Sequence, residues 1–311
     1  MNKKYSIGAD IGGSHITSAV IDLNKRKIVR DSIIEIPVDN KAEGSIIISQ
    51  WSKAIGESIS MVGEKNIKGV GFAMPGPFDY PGGICLIKGV PKYEKLYGIN
   101  IGASVRKELK LGDDVFFRFI NDASSFAVGE AWAGKASRAN RSMAITLGTG
   151  FGSAFISNKA PVVRGDDVPE LGCVYHIKYR NGIADDYFST RWFTSGYESL
   201  CGIKAAGVKD VAKAARTNDS VRDLFREFGS SLGLFLAPWL NKFGAEILVI
   251  GGNISRAYDL FGESLRSGLK ENNCKTEVAI SELKEDAALM GSAYLLDDEF
   301  WHSVKDLLRF M

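Results

Sequence analysis

The sequence predicts an α/β protein built as a duplication, two lobes with a cleft between them. Three observations carry this. The chain has 311 residues, about twice the roughly 150 typical of one domain. A hairpin turned by glycines lies near the start of each half, and Ser6, Ile7, Ile11, Gly12 and Val20 reappear as Ser142, Met143, Leu147, Gly148 and Ile156, a constant offset of 136. Short apolar runs then alternate with stretches of helical periodicity, the order that lays helices over a sheet.

Each element follows from local chemistry. Tyr5, Ile7, Ala9 and Ile11 alternate with small or polar residues, Gly12-Gly13-Ser14 breaks the run, and Ile16 to Leu23 resumes it, which is a strand, a turn and a strand. Ile47, Trp51, Ile55, Ile59 and Val62 recur at helical spacing, and Lys68 to Ala73 is a short strand running into Pro75-Gly76-Pro77. Val115 to Ile120 reads as a buried strand, with Asn121-Asp122 as helix-start residues for Ala123 to Ala133 and Gly134 as the stop. In the second half, Val221, Leu224, Phe225, Phe228, Leu232, Phe235, Leu236 and Trp239 form one face of a long helix, opened by Asp219-Ser220 and ended near Pro238. Ile247 to Ile250 is a strand ending in Gly251-Gly252, a helix is expected from about Ser255, and Phe300 to Leu308 forms an amphipathic C-terminal helix. A small lobe over residues 1–120 and a larger one over 121–311 follow, with the C-terminal helix packing back on the first.

Composition narrows the function. Lys+Arg 39 against Asp+Glu 37 gives +2, and 24% charged with 45% hydrophobic residues is globular composition. The balance, with only short basic clusters such as Lys25-Arg26-Lys27, leaves no footprint for nucleic acid or an anionic membrane surface. No apolar stretch approaches the roughly 18 residues a membrane span needs, and Asp10 interrupts the first apolar run before a signal-peptide core forms, so a cytoplasmic protein is expected. Cys85, Cys173, Cys201 and Cys274 are too widely spaced for a disulfide framework or a zinc ribbon. His15, His176 and His302 lack the spacing of a metal site or a nucleophile triad.

Two glycine turns could cradle phosphates, because backbone N–H groups can converge where no Cβ intervenes. Asp10-Ile11-Gly12-Gly13-Ser14 sets a carboxylate at a strand end beside two glycines and a hydroxyl, suited to a phosphate with its Mg²⁺, which prefers one or two carboxylates and several waters. Gly148-Thr149-Gly150-Phe151-Gly152 is the second turn; tight hairpins without function are the plainer reading of either alone. Gly129 to Lys135 imitates a P-loop, but Ala136 stands where Ser or Thr is needed, and Gly148-x-Gly150-x-x-Ser153 lacks the last glycine of a dinucleotide fingerprint. Asn121-Asp122 is either an ordinary helix cap or a base at the carboxyl end of a strand, where open α/β sheets bind ligands. Glu170, in the acidic loop after Asp166-Asp167, reads alone as solvated.

Taken in order, Asp10-Ile-Gly-Gly-Ser14, Gly71-Phe-Ala-Met-Pro-Gly-Pro-Phe78, Asn121-Asp122-Ala123, Leu147-Gly-Thr-Gly-Phe-Gly152 and Val249-Ile-Gly-Gly-Asn253 are specific as a set. The chain resembles the ROK family of bacterial sugar kinases and repressors, within the hexokinase and actin-like ATPase fold (a duplicated ribonuclease H-like fold), and is most similar to its glucokinase-type members over nearly its whole length. The resemblance implies that Gly12, Gly13, Ser14 and the turn of Gly148, Thr149, Gly150 and Gly152 hold ATP phosphates. It implies that Gly251 and Gly252 lie near the adenosine, that Asp10 meets Mg²⁺ through water, and that Asp122 is the catalytic base. Gly76, Asn121, Asp122 and Glu170 would contact the sugar. Two departures stand out. Cys173 replaces the histidine of the family's Glu-x-Gly-His, and the following cysteine cluster is missing, so structural zinc is not expected. Asp185, ahead of Asp186-Tyr187-Phe188-Ser189, stands where the family usually reads Glu-Ala-Tyr-Ala-Ser and replaces its sugar-binding glutamate.

The expected activity is ATP-dependent phosphorylation of a hexose hydroxyl, with glucose ahead of N-acetylglucosamine, N-acetylmannosamine and fructose, by a homodimer. The alternative is a non-catalytic sugar-binding or regulatory protein on the same fold. Repressors of the family carry an N-terminal helix-turn-helix, and a first strand starting by Tyr5 leaves no room for one. A filament-forming or chaperone-like ATPase is a third reading, disfavoured by Asn121-Asp122 and the compact length.

Overall fold

The computed structural model describes residues 3–90 and 92–311. They divide into two compact units, one of Met1–Ser137, Lys159–Pro161 and Glu285–Met311, the other of Arg138–Asn158 and Val162–Lys284.

The first unit is organised by a six-stranded sheet in the order β3-β2-β1-β5-β8, with β4 also paired to β2. Its strands are β1 (Tyr5–Ile11), β2 (His15–Asp22), β3 (Lys27–Ile28), β4 (Ile34–Pro37), β5 (Ile67–Met74) and β8 (Phe116–Asn121), while β6 (Phe78–Asp79) and β7 (Ile84–Cys85) form a separate small hairpin. The β1–β2 pair is antiparallel, whereas β1, β5 and β8 run parallel. Such strands are covered on both faces, which accounts for the nearly continuous burial of Ile7 to Ala9 and Gly69 to Met74. On one face α1 (Gly44–Ser60) buries Ile47, Trp51, Ala54 and Ile55, and Ser18 Oγ reaches its Ala54 carbonyl at 2.8 Å. Beside α1 lies α2 (Ile101–Leu109), capped by Asn100, whose side chain accepts from the Ala103 N–H at 2.8 Å.

The other face is closed by α9 (Asp286–Tyr294), which packs on β1 and β5 and against α3 (Asp122–Ala133); α10 (Asp298–Val304) follows it. The approach of α9 is backbone to backbone. A Cβ on Gly71 would collide with the Ser292 carbonyl, so only glycine fits there.

The second unit carries β9 (Arg141–Leu147), β10 (Phe151–Ser157), β14 (Ile247–Gly251) and β15 (Glu277–Ile280), side by side in the order β10-β9-β14-β15, with β14 parallel to both neighbours. The two-residue strand β11 (Ala160–Pro161) belongs to the segment that clusters with the first unit, and β12 (Lys178–Tyr179) pairs with β13 (Gly182–Ile183). Helices α4 (Ala184–Tyr187), α5 (Thr190–Cys201), α6 (Val208–Ala215), α7 (Asp219–Phe243) and α8 (Tyr258–Glu271) complete the unit. Its core is strongly aromatic. Phe188, Phe193, Phe225, Phe228 and Phe261 are all but inaccessible, and the Phe193 ring packs tilted against Phe225 and Phe228 with centroids 4.5 and 4.7 Å apart.

The duplicated hairpin is present, with one slip. β1 and β9 match at the expected offset, since Tyr5–Ile11 and Arg141–Leu147 differ by 136 throughout. Ile11 pairs with Ile16, however, while Leu147 pairs with Phe151, so the second turn is one residue shorter. Val20, opposite Ile7, therefore corresponds to Phe155, opposite Met143, and not to Ile156. The long helix also passes Pro238 and continues to Phe243, where Gly244 adopts the left-handed conformation that ends it. Proline leaves only the carbonyl of Leu234 without its helical donor, and Leu234 is 41% exposed, so water can serve it. Burial of Leu240 and Phe243 holds the last turn in place.

Candidate functional site

In the first unit the parallel strands bring the predicted residues to one edge. Asp10 lies opposite Ala73, and Ala73 opposite Ile120. Asp10, the Pro75-Gly76 segment and Asn121-Asp122 thus leave the sheet at the same carboxyl ends, with Asp10 and Asn121 two strand spacings, roughly 10 Å, apart.

The β8–α3 junction assigns separate duties to Asn121 and Asp122. Asn121 is the helix cap, its Oδ1 accepting from the Ser124 N–H at 3.1 Å. Asp122 is released from capping and opens the helix. Its Oδ1 accepts from the Ala123 N–H at 2.8 Å and from Asn121 Nδ2 at 3.0 Å, while Oδ2 has no partner among the described residues. Asn121 Nδ2 also approaches the Tyr80 hydroxyl at 3.4 Å, which donates to the Met74 carbonyl at 3.1 Å. Asp122 still presents surface to solvent, yet loss of hydration raises its carboxyl above the ordinary range, against the opposing Ala123 N–H, the Lys92 ammonium and the Asn121 amide. A carboxylate with one free oxygen and a raised pKa, in reach of solutes, is equipped to take a proton.

Asp10, one residue before the end of β1, is pushed up to about 7. Desolvation is the main cause, the carboxylates of Asp122 and Glu285 add to it, and Lys92 opposes them. The adjoining turn is tied from behind. The Gly12 carbonyl accepts from the Tyr93 hydroxyl at 2.6 Å, the Gly13 carbonyl from Asn40 Nδ2, and the Ser14 carbonyl from the Val38 N–H at 2.8 Å. The Gly12 N–H is spent on the His15 carbonyl at 3.0 Å, whereas those of Gly13 and Ser14 meet no acceptor among the described residues. Two unspent N–H groups beside an acidic edge suit a phosphate accompanied by Mg²⁺: the donors serve the anion, and the crowded Asp10 gains from a cation.

In the second unit, the Gly148–Gly150 turn is anchored just as firmly. Thr190 donates through N–H and Oγ1 to the Gly148 carbonyl at 2.8 and 2.9 Å, and the Phe151 N–H donates to Asp185 Oδ1 at 2.7 Å. Asp185 Oδ2 meets Arg191 of α5 at 3.0 Å, so this predicted sugar ligand bonds to the turn through one oxygen and to the helix through the other. Space around Gly148 is open where a side chain would stand. Gly251 pairs with Thr146, and Gly252, at φ +79, packs so tightly that a Cβ would strike the Leu147 carbonyl, which sets Gly251 and Gly252 at the edge carrying Thr149 and Gly152. Glu170 is exposed in a short helical turn ending at Gly172. Cys173 Sγ lies 3.8 Å from His176 Nδ1, and burial pushes its thiol up to about 12, which favours the protonated thiol over the thiolate.

Sequence reasoning missed Asn40, Lys92 and Tyr93. They stand far from Gly12 in the chain, carry no motif, and only the fold brings them to the turn.

The ROK family model matches residues 6–299. The chain is 27% identical to a glucokinase from Thermotoga maritima, over 96% of this chain and 99% of that protein. It is 24% identical to an N-acetyl-D-glucosamine kinase from Haemophilus influenzae, over 86% and 90%. Its fold matches that of a ROK family glucokinase from Streptomyces griseus in complex with glucose and AMPPNP, with TM-score 0.72, 23% identity and coverage of 94% and 98%. A two-turn duplication of this kind, matched by the family model over nearly its whole length, identifies the chain as a member of the ROK family, with the actin-like ATPase fold of its sugar kinases.

Proposed function

We propose that the chain is an ATP-dependent hexose kinase in which Asp122 is the general base. The observation that carries this is the division of labour at the β8–α3 junction: Asn121 caps the helix, and Asp122 keeps one oxygen free on a carboxyl that loss of hydration makes a stronger proton acceptor than usual. Asp122 accepts the proton of a sugar hydroxyl as that oxygen bonds to the γ-phosphorus of ATP and the bond from γ-phosphorus to the bridging oxygen breaks, releasing ADP. Gly76, Asn121 and Asp122, with Glu170, hold the sugar. The two turns, Gly12 to Ser14 and Gly148 to Gly152, hold the phosphates; Gly251 and Gly252 flank the adenosine, and Asp185 acts by fixing the second turn. Mg²⁺, when bound with ATP, neutralises phosphate charge, and Asp10 would hold it through water.

Relatives named for glucose and for N-acetylglucosamine make these two the first acceptors to examine. A coupled ADP-release assay against a panel of hexoses and N-acetylhexosamines tests the reading. ADP release that depends on one of these sugars supports it. Sugar binding without ADP release would make the chain a sugar-binding protein instead.

A further inference from the structure

Lys92 lies in a segment that no motif marks, between β7 and α2. Its side chain nevertheless ends at the phosphate turn: Cε and Nζ each lie 3.8 Å from the point where a Cβ on Gly13 would stand. The segment is fixed there. Tyr93 is fully buried with its ring edge-on to Trp51 at 5.4 Å, its N–H donates to the Asn40 carbonyl at 2.8 Å, and its hydroxyl holds Gly12. Asn40 in turn holds Gly13. Residues 40 and 93 therefore form one strut behind the turn, and Lys92 extends from that strut to Gly13.

The ammonium is uncommitted. Among the described residues it makes no hydrogen bond and no ion pair, and its nearest aromatic contact is its own neighbour Tyr93, 5.6 Å from Nζ to the ring centroid. Lysines on a surface are commonly free, but this one is partly buried and lies near enough to Asp10 for its charge to oppose those of Asp122 and Glu285 there. Three carboxylates there would repel a polyphosphate, and Lys92 is the cation whose field reaches both Asp10 and Asp122. A flexible stem with three donors at its tip suits a phosphoryl group better than a fixed structural contact.

We propose that Lys92 is a phosphate-binding residue of this site, its ammonium taking an oxygen of the terminal phosphoryl group of a nucleoside triphosphate seated on the Gly12–Ser14 turn. The inference rests on reading that turn as a phosphate cradle; it adds a binding residue to the proposed kinase site. A cation on the terminal phosphoryl group also stabilises the charge that group carries during transfer.

Calorimetric titration of the full chain with AMPPNP and with ADP, each with Mg²⁺ and without sugar, tests it on wild type, Lys92→Met and Lys92→Arg. A charge-assisted hydrogen bond to the terminal group is worth about tenfold to 100-fold in affinity. Lys92→Met is expected to weaken AMPPNP by that factor and ADP by less than about twofold, with Lys92→Arg recovering most of the loss, since the arginine keeps the charge. Unchanged AMPPNP affinity in Lys92→Met, or equal weakening of both nucleotides, overturns the proposal; the latter marks a residue that only supports the turn. The binding comparison is independent of turnover. Wild type that binds AMPPNP through Lys92 yet phosphorylates no sugar would sink the kinase reading alone, and an active kinase indifferent to Lys92→Met would sink this inference alone.

Discussion

The Tyr93 hydroxyl donates to the Gly12 carbonyl at 2.6 Å, joining two residues 81 positions apart. This bond, with those of Asn40 and Val38 to the next two carbonyls, turns the acceptors of the first glycine turn inward and leaves two N–H groups unspent. A turn so braced pays its ordering cost during folding, before a ligand arrives.

Tyr93→Phe tests the brace. It keeps the packing on Trp51 and removes one donor, so the Gly12 carbonyl loses its partner. A cost of about 1–2 kcal/mol in stability is expected, together with weaker ATP binding at unchanged sugar affinity. Urea unfolding and paired titrations of nucleotide and sugar measure both; an unchanged nucleotide affinity would show that the bond does not order the turn.

Asp10 gives the ligand-free protein a definite pH dependence. Its carboxyl titrates near 7 when folded, against an ordinary 3.8. Between those values the folded chain holds a proton that the unfolded chain has released, so stability falls as pH rises through this window. Asp10→Asn removes the titration. The variant is expected to be more stable than wild type at pH 8 and to converge with it toward pH 4, in denaturant melts without nucleotide or metal. Parallel curves across that range would show that the carboxyl is not raised. Loss of activity with gain of stability is the usual compromise at a functional site.

Gly71→Ala probes the packing under the site. Its Cβ would meet the Ser292 carbonyl on α9, and backbone cannot swing aside as a side chain does. A loss of roughly 2–3 kcal/mol is expected from overpacking, read from the urea midpoint. A neutral substitution would mean that α9 stands farther from the sheet.

Much of this was legible in the sequence, and the failures have physical causes. The hairpins, their glycine turns and the Asn121-Asp122 junction were readable because alternation, glycine and capping chemistry act within a few residues. Helix α9 escaped notice because Ala287 to Ala293 are all buried, so no polar face marks its period. Pro238 was read as a stop because its local cost is plain in sequence, while the burial that outweighs it is not. The shorter second turn hid the true partner of Val20, since pairing register is set across the ladder and not along the chain. Lys92, Tyr93 and Asn40 reach the turn through tertiary structure alone. Asp185 bonds to the Phe151 N–H and to Arg191, contacts across 34 and 6 positions that its place in a pattern does not reveal.

The most direct test of the central claim is to measure turnover and sugar affinity together in Asp122→Asn. The asparagine keeps the shape and removes the proton acceptor. The account predicts that ADP release falls by at least about 10²-fold, the lower end of a general-base contribution, while the calorimetric affinity for the preferred sugar stays within a few-fold. A variant that turns over near the wild-type rate would contradict it and remove Asp122 from the chemistry.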